Sequence, residues 1–326
     1  MTGPFAFCGI AVALNGRRQF ATSTAPGIAA HEESAFRVAS ISKVAVGQAL
    51  ASLLKTARVG WDTDISDLLG WSLRHPNPAA RPVTIGMVAS HSAGLTDAAG
   101  YLIPPAMTLQ DWCQHRSVFD AEPGARFAYC NLGYIVLAQV LEKLSGKAFP
   151  QMLTDLPQGA GFNWAGVASA IRAGRLPTYR QQQGKFQPQI DHTITTPPDD
   201  GQHPGMFSPQ GGLRCSLRGL LDMAEALETA DMTPLWTPQM GPGDYLDGAF
   251  ESYGAGLQIF EHPRFYPRPL IGHFGNAYGF AGGIWFDRKR GCSFAYALNG
   301  LPMGAESDAV LAEENRIFDV IAELEG

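Results

Sequence analysis

FRVASISK (residues 36–43) sets a serine, Ser40, three residues ahead of a lysine, Lys43, and an apolar helical pattern follows at once. Serine is a weak nucleophile at neutral pH and needs a base beside it; a lysine one helical turn away is such a base. The same pair is also an ordinary polar opening to an ordinary helix. The surrounding chain decides between a reactive centre and a plain helix start.

Outward from this stretch, residues 40–57 read as a helix with Val44, Leu50, Leu53 and Leu54 as its apolar positions. Upstream, Asn15-Gly16 between GIAVAL and QFATST predicts a β-hairpin over residues 5–25. Downstream, Thr84 caps a short helix reaching about Ser90, and NLGYIVLAQVLEKLS (131–145) is a helix that stops at Gly146. Residues 150–210 are irregular, with Pro177, Pro188, Pro197, Pro198 and Pro204, and read as loops around a short hairpin. A helix over 216–229 follows, then strands at 253–260, 269–275, 281–287 and 292–298, and an amphipathic helix over about 305–325. A lone hairpin is marginal in water, so the N-terminal strands must join the C-terminal ones. The expected fold is α+β: one antiparallel sheet flanked by helices, with a mostly helical region inserted. Residues 1–326 read as a single domain, its sheet part about 1–57 and 245–326 and its helical part about 58–244. A cleft between the parts is the natural place for a site.

The bulk properties narrow the function. The chain has 326 residues, 45% of them hydrophobic, enough for a full core. Net charge is -6, from 24 basic and 30 acidic residues without a long run of either sign, which argues against nucleic acid and anionic membranes as partners. Five cysteines, an odd number without a CxxC, fit neither a disulfide framework nor a cysteine-rich zinc site and point to a reducing compartment. No basic residue precedes the apolar N-terminal stretch, so a signal peptide is not expected and a cytoplasmic protein is; a trimmed chain start would leave a periplasmic one open. No stretch is long and apolar enough to span a membrane.

Three short elements carry the chemistry: Ser40-Ile41-Ser42-Lys43, Tyr129-Cys130-Asn131, and His273-Phe274-Gly275 on an expected strand. Each has a decoy or a bland reading. Ser52 and Lys55 repeat the S-x-x-K spacing, but Ser52 lies roughly 18 Å further along the helix, where its N–H is tied up. His203-Pro204-Gly205 repeats H-x-G in a loop without strand pattern. Ser40 stands at the helix start, where free N–H groups and the dipole favour a developing oxyanion. Tyr129 and Asn131 alone would be a turn and a helix cap, and His273 alone a core histidine. His91 reads as a hydrogen-bonded helix end and Cys130 as a small buried side chain. Trp112, Trp164, Trp236 and Trp285 read as core or cleft wall.

In this order the three elements resemble the serine β-lactamase and penicillin-binding protein superfamily, nearest its class C-like branch. MVASHSAGL (87–95), EPGARFAYCNLGYIVLAQVLEKLSGKAF (122–149), SPQGGLRCSLRGLLDMAEAL (208–227) and GHFGNAYGFAGGIWFD (272–287) resemble further family segments. The resemblance implies a β-lactamase/transpeptidase-like fold and a serine hydrolase acting through an acyl-enzyme, without metal or cofactor. It implies Ser40 as nucleophile, Lys43 as its base or proton holder, and Tyr129 sharing acid and base duty. Asn131 would bond Lys43 and the substrate amide, His273 would take a position usually held by lysine or histidine, and the N–H groups of Ser40 and Asn276 would form the oxyanion hole behind Gly275. A tyrosine is a poor base at neutral pH unless cations depress its pKa; Lys43, and His273 if charged, would supply them.

Two departures stand out. Cys130 replaces a serine. Phe274 replaces a threonine or serine whose hydroxyl helps hold the substrate carboxylate, so Phe274 is expected beside the acyl site, disfavouring carboxylate-bearing substrates. Arg180 or Arg214 would be the alternative carboxylate holder. The expected substrates are small amides, esters or β-lactams. A true β-lactamase or D-alanyl-D-alanine carboxypeptidase, and a non-catalytic binding or sensor module, are the rival readings.

Overall fold

The computed structural model describes residues 5–149, 156–157, 160–162, 176–189, 202–236, 246, 250–302, 304–305 and 310–324. Trp164, Pro197, Pro198, part of the irregular 150–210 stretch and the first turn expected of the last helix lie outside these residues.

The hairpin opens the chain. β1 (Phe7–Leu14) and β2 (Arg17–Thr24) pair antiparallel, and the turn places Asn15 at φ 52° and Gly16 at φ 71°. Positive φ at both turn residues is what an Asn-Gly pair supplies at low steric cost. β3 (Phe36–Arg37) leads into a 3₁₀ turn, Ala39–Ile41, and then into α1 (Ser42–Ala57). The middle of the chain carries α2 (Ile65–Leu69), α3 (Ile85–Ala89), α4 (Leu109–Gln114) and α5 (Asn131–Ser145). Thr84 caps α3 by accepting from the Met87 N–H, and Gly146 ends α5 at φ 67°.

A short hairpin, β4 (Tyr179–Gln182) and β5 (Lys185–Pro188), precedes β6 (Arg214–Cys215), which pairs with β3. α6 (Leu217–Ala226) runs on into a 3₁₀ turn, Leu227–Thr229, filling the range expected for one helix. The last strands are β7 (Ser252–Tyr253), β8 (Gln258–Phe260), β9 (Leu270–Ala277), β10 (Phe280–Asp287), β11 (Cys292–Asn299) and β12 (Leu301–Pro302). α7 (Ala312–Glu323) closes the described chain. Among the described residues no helix is long and apolar enough to cross a membrane.

The main sheet has seven strands in the order β2-β1-β11-β10-β9-β8-β7, all pairs antiparallel. β1 lies beside β11, so the two ends of the chain build one sheet, as the marginal stability of a lone hairpin requires. One expected strand, 253–260, is instead two: the chain folds back between β7 and β8, with the Gly254 N–H on the Leu257 carbonyl and Gly256 at φ 75°. That turn lies against α1 so closely that a Cβ on Gly256 would stand 2.2 Å from the Lys43 carbonyl oxygen. A small three-stranded sheet, β12-β4-β5, includes the one parallel pair among the described residues, β12 with β4.

Side chains alternate across the main sheet. One face, with Ile271, Ile284, Ala295 and Ala11, packs into the core shared with α1, α5 and α6. The other, with Phe274, Trp285, Phe294 and Tyr296, is covered by α7 through Ile317, Phe318 and Ile321. The first face carries the site.

Candidate active site

Ser40 sits one residue into the 3₁₀ turn rather than on the α-helix itself. A 3₁₀ turn has three residues per turn, so it stacks residue i over i+3 more directly than an α-turn does. Lys43 Nζ lies 3.1 Å from Ser40 Oγ, where it also donates to Asn131 Oδ1 at 2.8 Å and to the Gln210 carbonyl at 3.0 Å. Ala39, just before Ser40, has φ 48°, and Ser208 and His91 nearby have φ 53° and 58°. Such left-handed conformations cost a residue with a Cβ on the order of 1–3 kcal/mol and concentrate where function holds them. Ser42 supports the turn: its hydroxyl donates to the Ala39 carbonyl at 2.6 Å and accepts from the Leu213 N–H at 3.0 Å. The two serines of SISK thus divide their work, Ser40 half-buried beside Lys43 and Ser42 fully buried as a brace.

Lys43 is completely buried. Burial brings its ammonium pKa down from 10.5 to about 7, against the nearby Asp97 charge, which raises it. Tyr129 is half-buried and its ring lies under this amine, with Nζ 4.6 Å from the ring centroid. Behind it the His91 ring stacks at 4.4 Å, and His91 Nδ1 accepts the Cys130 N–H at 3.1 Å. His91 thus lies one residue beyond the Ser90 cap of α3 and holds the backbone on either side of Tyr129, its carbonyl accepting from the Ala128 N–H at 2.7 Å. Cys130 is buried, and burial pushes its thiol well above the usual range, with Asp97 adding to the effect.

Asn131 begins α5, and its orientation is set by a residue that the sequence reading passed over. Asp97 accepts from the Asn131 N–H at 2.8 Å, the Asn131 Nδ2 at 2.9 Å, the Leu132 N–H at 3.0 Å and the Cys130 thiol at 3.2 Å. The only signal for it was an acidic residue shortly after MVASHSAGL. The Gln210 carbonyl, a backbone group, had no side-chain signal at all.

On β9 the structure separates residues that the sequence grouped. His273 is fully buried on the face toward Lys43, its ring centroid 6.3 Å from that of Tyr129. Its Nδ1 donates to the Phe274 carbonyl, which leaves Nε2 to accept the Tyr253 hydroxyl at 2.8 Å. Burial, with Lys43 nearby, lowers its pKa to about 3, so it is a neutral imidazole. A second cation beside Tyr129 is therefore absent at position 273.

Phe274 corrects the expectation placed on it. Its side chain points to the opposite face of the sheet, 5% exposed, with its ring centroid 4.6 Å from Trp285 and 6.0 Å from Phe318. Strand alternation is the reason: with His273 on the cleft face, its neighbour must leave it. Gly275 returns to the cleft face, where a Cβ would stand 2.6 Å from the Val38 carbonyl oxygen and 3.0 Å from Ile41 Cγ1. Only a glycine lets the Ser40 turn lie this close. The Phe274 N–H leaves β9 toward Gln258 Oε1 at 3.1 Å, so the Asn276 N–H leaves from the same edge, away from β10.

Of the arginines, Arg214 is buried, donates to the Gly212 carbonyl at 3.3 Å, and is lowered by burial to about 10. Arg180 lies on β4, behind the β9–β10 turn, where a Cβ on Gly279 would meet its Cγ at 2.8 Å. Arg37, which the sequence reading passed over, holds the 208–211 loop through the Gly211 carbonyl and Ser208 Oγ. Its guanidinium lies 3.9 Å over the Tyr278 ring. Trp285 and Trp112 are buried core residues, and Trp236 is half-buried beside β7.

The chain is similar to several known proteins. The chain is 28% identical over 162 residues to the probable fimbrial assembly protein FimD, serogroup H1, of Dichelobacter nodosus, a match covering 48% of this chain and 40% of that protein. It therefore spans about two fifths of the length of that relative. The structure superposes on D-amino acid amidase from Ochrobactrum anthropi SV3, complexed with L-phenylalanine amide, with TM-score 0.73, 19% identity and coverage of 98% of this chain and 93% of that one. It also superposes on the penicillin binding protein from Bacillus halodurans, with TM-score 0.70, 19% identity and coverage of 97% and 95%. At these identities the likeness shows the fold, which is β-lactamase/transpeptidase-like. The sequence model of the Beta-lactamase family matches residues 6–315, nearly the whole length, and the chain belongs to that family.

Proposed function

We propose that this chain is a serine hydrolase that cleaves a small amide or ester through an acyl-enzyme on Ser40. The observation that carries the reading is Lys43, fully buried, 3.1 Å from Ser40 Oγ and with a pKa near 7. A lysine at 10.5 is an acid at neutral pH; one near 7 exchanges a proton there, which a general base must do. Ser40 Oγ attacks the substrate carbonyl carbon and its proton passes to Lys43 Nζ, which lies 4.6 Å from the centre of the Tyr129 ring. The N–H groups of Ser40 and Asn276 receive the oxyanion. Collapse expels the amine or alcohol, which takes up that proton, and water then releases the acyl group by the reverse sequence.

The substrate reading is a neutral or amine-bearing amide or ester in preference to a carboxylate-bearing β-lactam or D-alanyl peptide. Supporting it, both nitrogens of His273 are engaged within the protein, and position 274 offers no hydroxyl to the cleft. The amidase of similar fold, complexed with an amino-acid amide, favours the same class. Two experiments test the reading. Fluorophosphonate treatment followed by intact-mass measurement and peptide mapping is expected to label Ser40, and Ser40→Ala to abolish the label. Label on Ser52, or none on a folded protein, would sink the acyl-enzyme and favour a binding module. Amino-acid p-nitroanilides and p-nitrophenyl esters are expected to show higher kcat/KM than nitrocefin and D-alanyl-D-alanine peptides; the reverse order would make the chain a β-lactamase or carboxypeptidase.

A further inference from the structure

We propose that Asp97 is a positioning residue of this site, its carboxylate holding the Asn131 amide so that Oδ1 faces Lys43 Nζ. The inference rests on the acyl-enzyme reading above, and its test separates the two.

The side-chain amide of Asn131 has two orientations, differing by exchange of oxygen and nitrogen. In the observed one, Nδ2 donates to Asp97 at 2.9 Å while Oδ1 accepts from Lys43 at 2.8 Å. The flipped amide would set its oxygen against the Asp97 carboxylate and its NH₂ against the amine of Lys43, losing both bonds at once. One carboxylate thus chooses the acceptor that the lysine sees. Asp97 is well fixed for this, because the Asn131 and Leu132 N–H groups and the Cys130 thiol bind the same two oxygens. Cys130, the residue before α5, makes no capping bond from its own side chain. The cap comes instead from 34 residues upstream, a negative charge at the positive end of the helix. The charge also opposes the effect of burial on Lys43.

Asp97→Asn keeps the shape but presents an NH₂ to at least one of four donors. The test compares fluorophosphonate labelling rates and their pH profiles for wild type, Asp97→Asn, Asn131→Ala and the double variant, with Tm measured for each. Asp97→Asn is expected to slow labelling about 10- to 100-fold, the range seen when a supporting partner of a site residue is lost. The acid limb of its profile should move below the wild-type pH, since a negative charge near Lys43 is gone. In the Asn131→Ala background the same change should cost less than about threefold, because the two residues act as one unit. A purely capping role would lower Tm and leave labelling and the acid limb unmoved. A folded Asp97→Asn protein that labels within about threefold of wild type, or that adds its full factor to Asn131→Ala, would overturn the proposal. Should Asp97→Asn fail to fold, Asp97→Ser, which keeps one capping oxygen but no charge, carries the same criteria. Wild type that does not label at Ser40 at all would instead remove the acyl-enzyme reading on which this proposal stands.

Discussion

Lys43 derives its proposed chemistry from burial more than from any partner. A surface lysine is protonated up to about pH 10.4. Here the loss of water lowers that value to about 7. The sign follows: the neutral amine, the form able to accept the Ser40 proton, is scarce below pH 7 and dominant above it. Hydrolysis is therefore expected to rise with pH through an apparent pKa near 7, measured as kcat/KM on a non-titrating substrate. His273, at about 3, is neutral throughout that range. His273→Gln should lower the rate but leave the acid limb in place; a limb that moves or disappears in this variant would assign it to the imidazole. Cys130 offers a second residue-scale test. Its thiol is buried and donates to Asp97, and it is held protonated. Cys130→Ser should retain activity within about tenfold, and maleimide reagents should leave native activity unchanged; inactivation traced to Cys130 would show an exposed or ionised thiol. At this scale the sequence was legible where spacing did the work. Three residues separate Ser40 from Lys43, and Tyr129 and Asn131 flank one residue. Asp97 belongs to no local pattern, and the neutrality of His273 depends on its burial and on the nearby Lys43, which only the folded chain brings to it.

At the scale of elements, the site depends on how closely β9 and the turn at Ala39–Ile41 approach each other. Gly275 controls that approach, since an added Cβ would meet the Val38 carbonyl at 2.6 Å and Ile41 at 3.0 Å. Backbone oxygen cannot move aside like the end of a flexible side chain, so strand or turn must shift by several tenths of an ångström. Gly275→Ala is expected to cost about 1–3 kcal/mol of stability by overpacking. It should also cost up to about 100-fold in kcat/KM, because it displaces Ser40 relative to the Asn276 N–H. Urea unfolding and labelling rates check the two parts, and a folded variant with wild-type labelling would show that β9 does not position Ser40. The elements also show where pattern reading fails. Residues 253–260 have an apolar run that suits one strand, yet two glycines and the close packing of Gly256 on α1 turn it into two. Conversely, Asn15-Gly16 and Gly146 were legible because their backbone conformations follow from chemistry within a few residues.

At the scale of the whole molecule, the sheet separates a face that packs on α1, α5 and α6 and bears the site from an aromatic face covered by α7. The joining of β1 to β11 was readable from the marginality of a lone hairpin, but the facing of each side chain was not readable for Phe274. Sequence likeness to a motif placed it at the acyl site; alternation along β9 places it among Trp285, Phe265 and Phe318, beneath α7. The two placements lead to opposite outcomes for one variant. If Phe274 faced the substrate, Phe274→Thr would restore a hydroxyl to the carboxylate subsite and leave stability nearly unchanged. In the observed packing, the change removes a buried ring and leaves a hydroxyl among aromatic side chains. Large-to-small changes of a buried phenylalanine cost about 3–5 kcal/mol. At roughly 1.5 °C per kcal/mol for a chain of 326 residues, Tm should fall on the order of 4–7 °C. The ratio of kcat/KM for nitrocefin to that for a neutral p-nitrophenyl ester should stay within about threefold of wild type, because no atom of residue 274's side chain reaches the cleft. Thermal unfolding and the two rate measurements on the same preparation decide the matter. An unchanged Tm together with a ratio shifted toward nitrocefin would return Phe274 to the substrate side of the sheet.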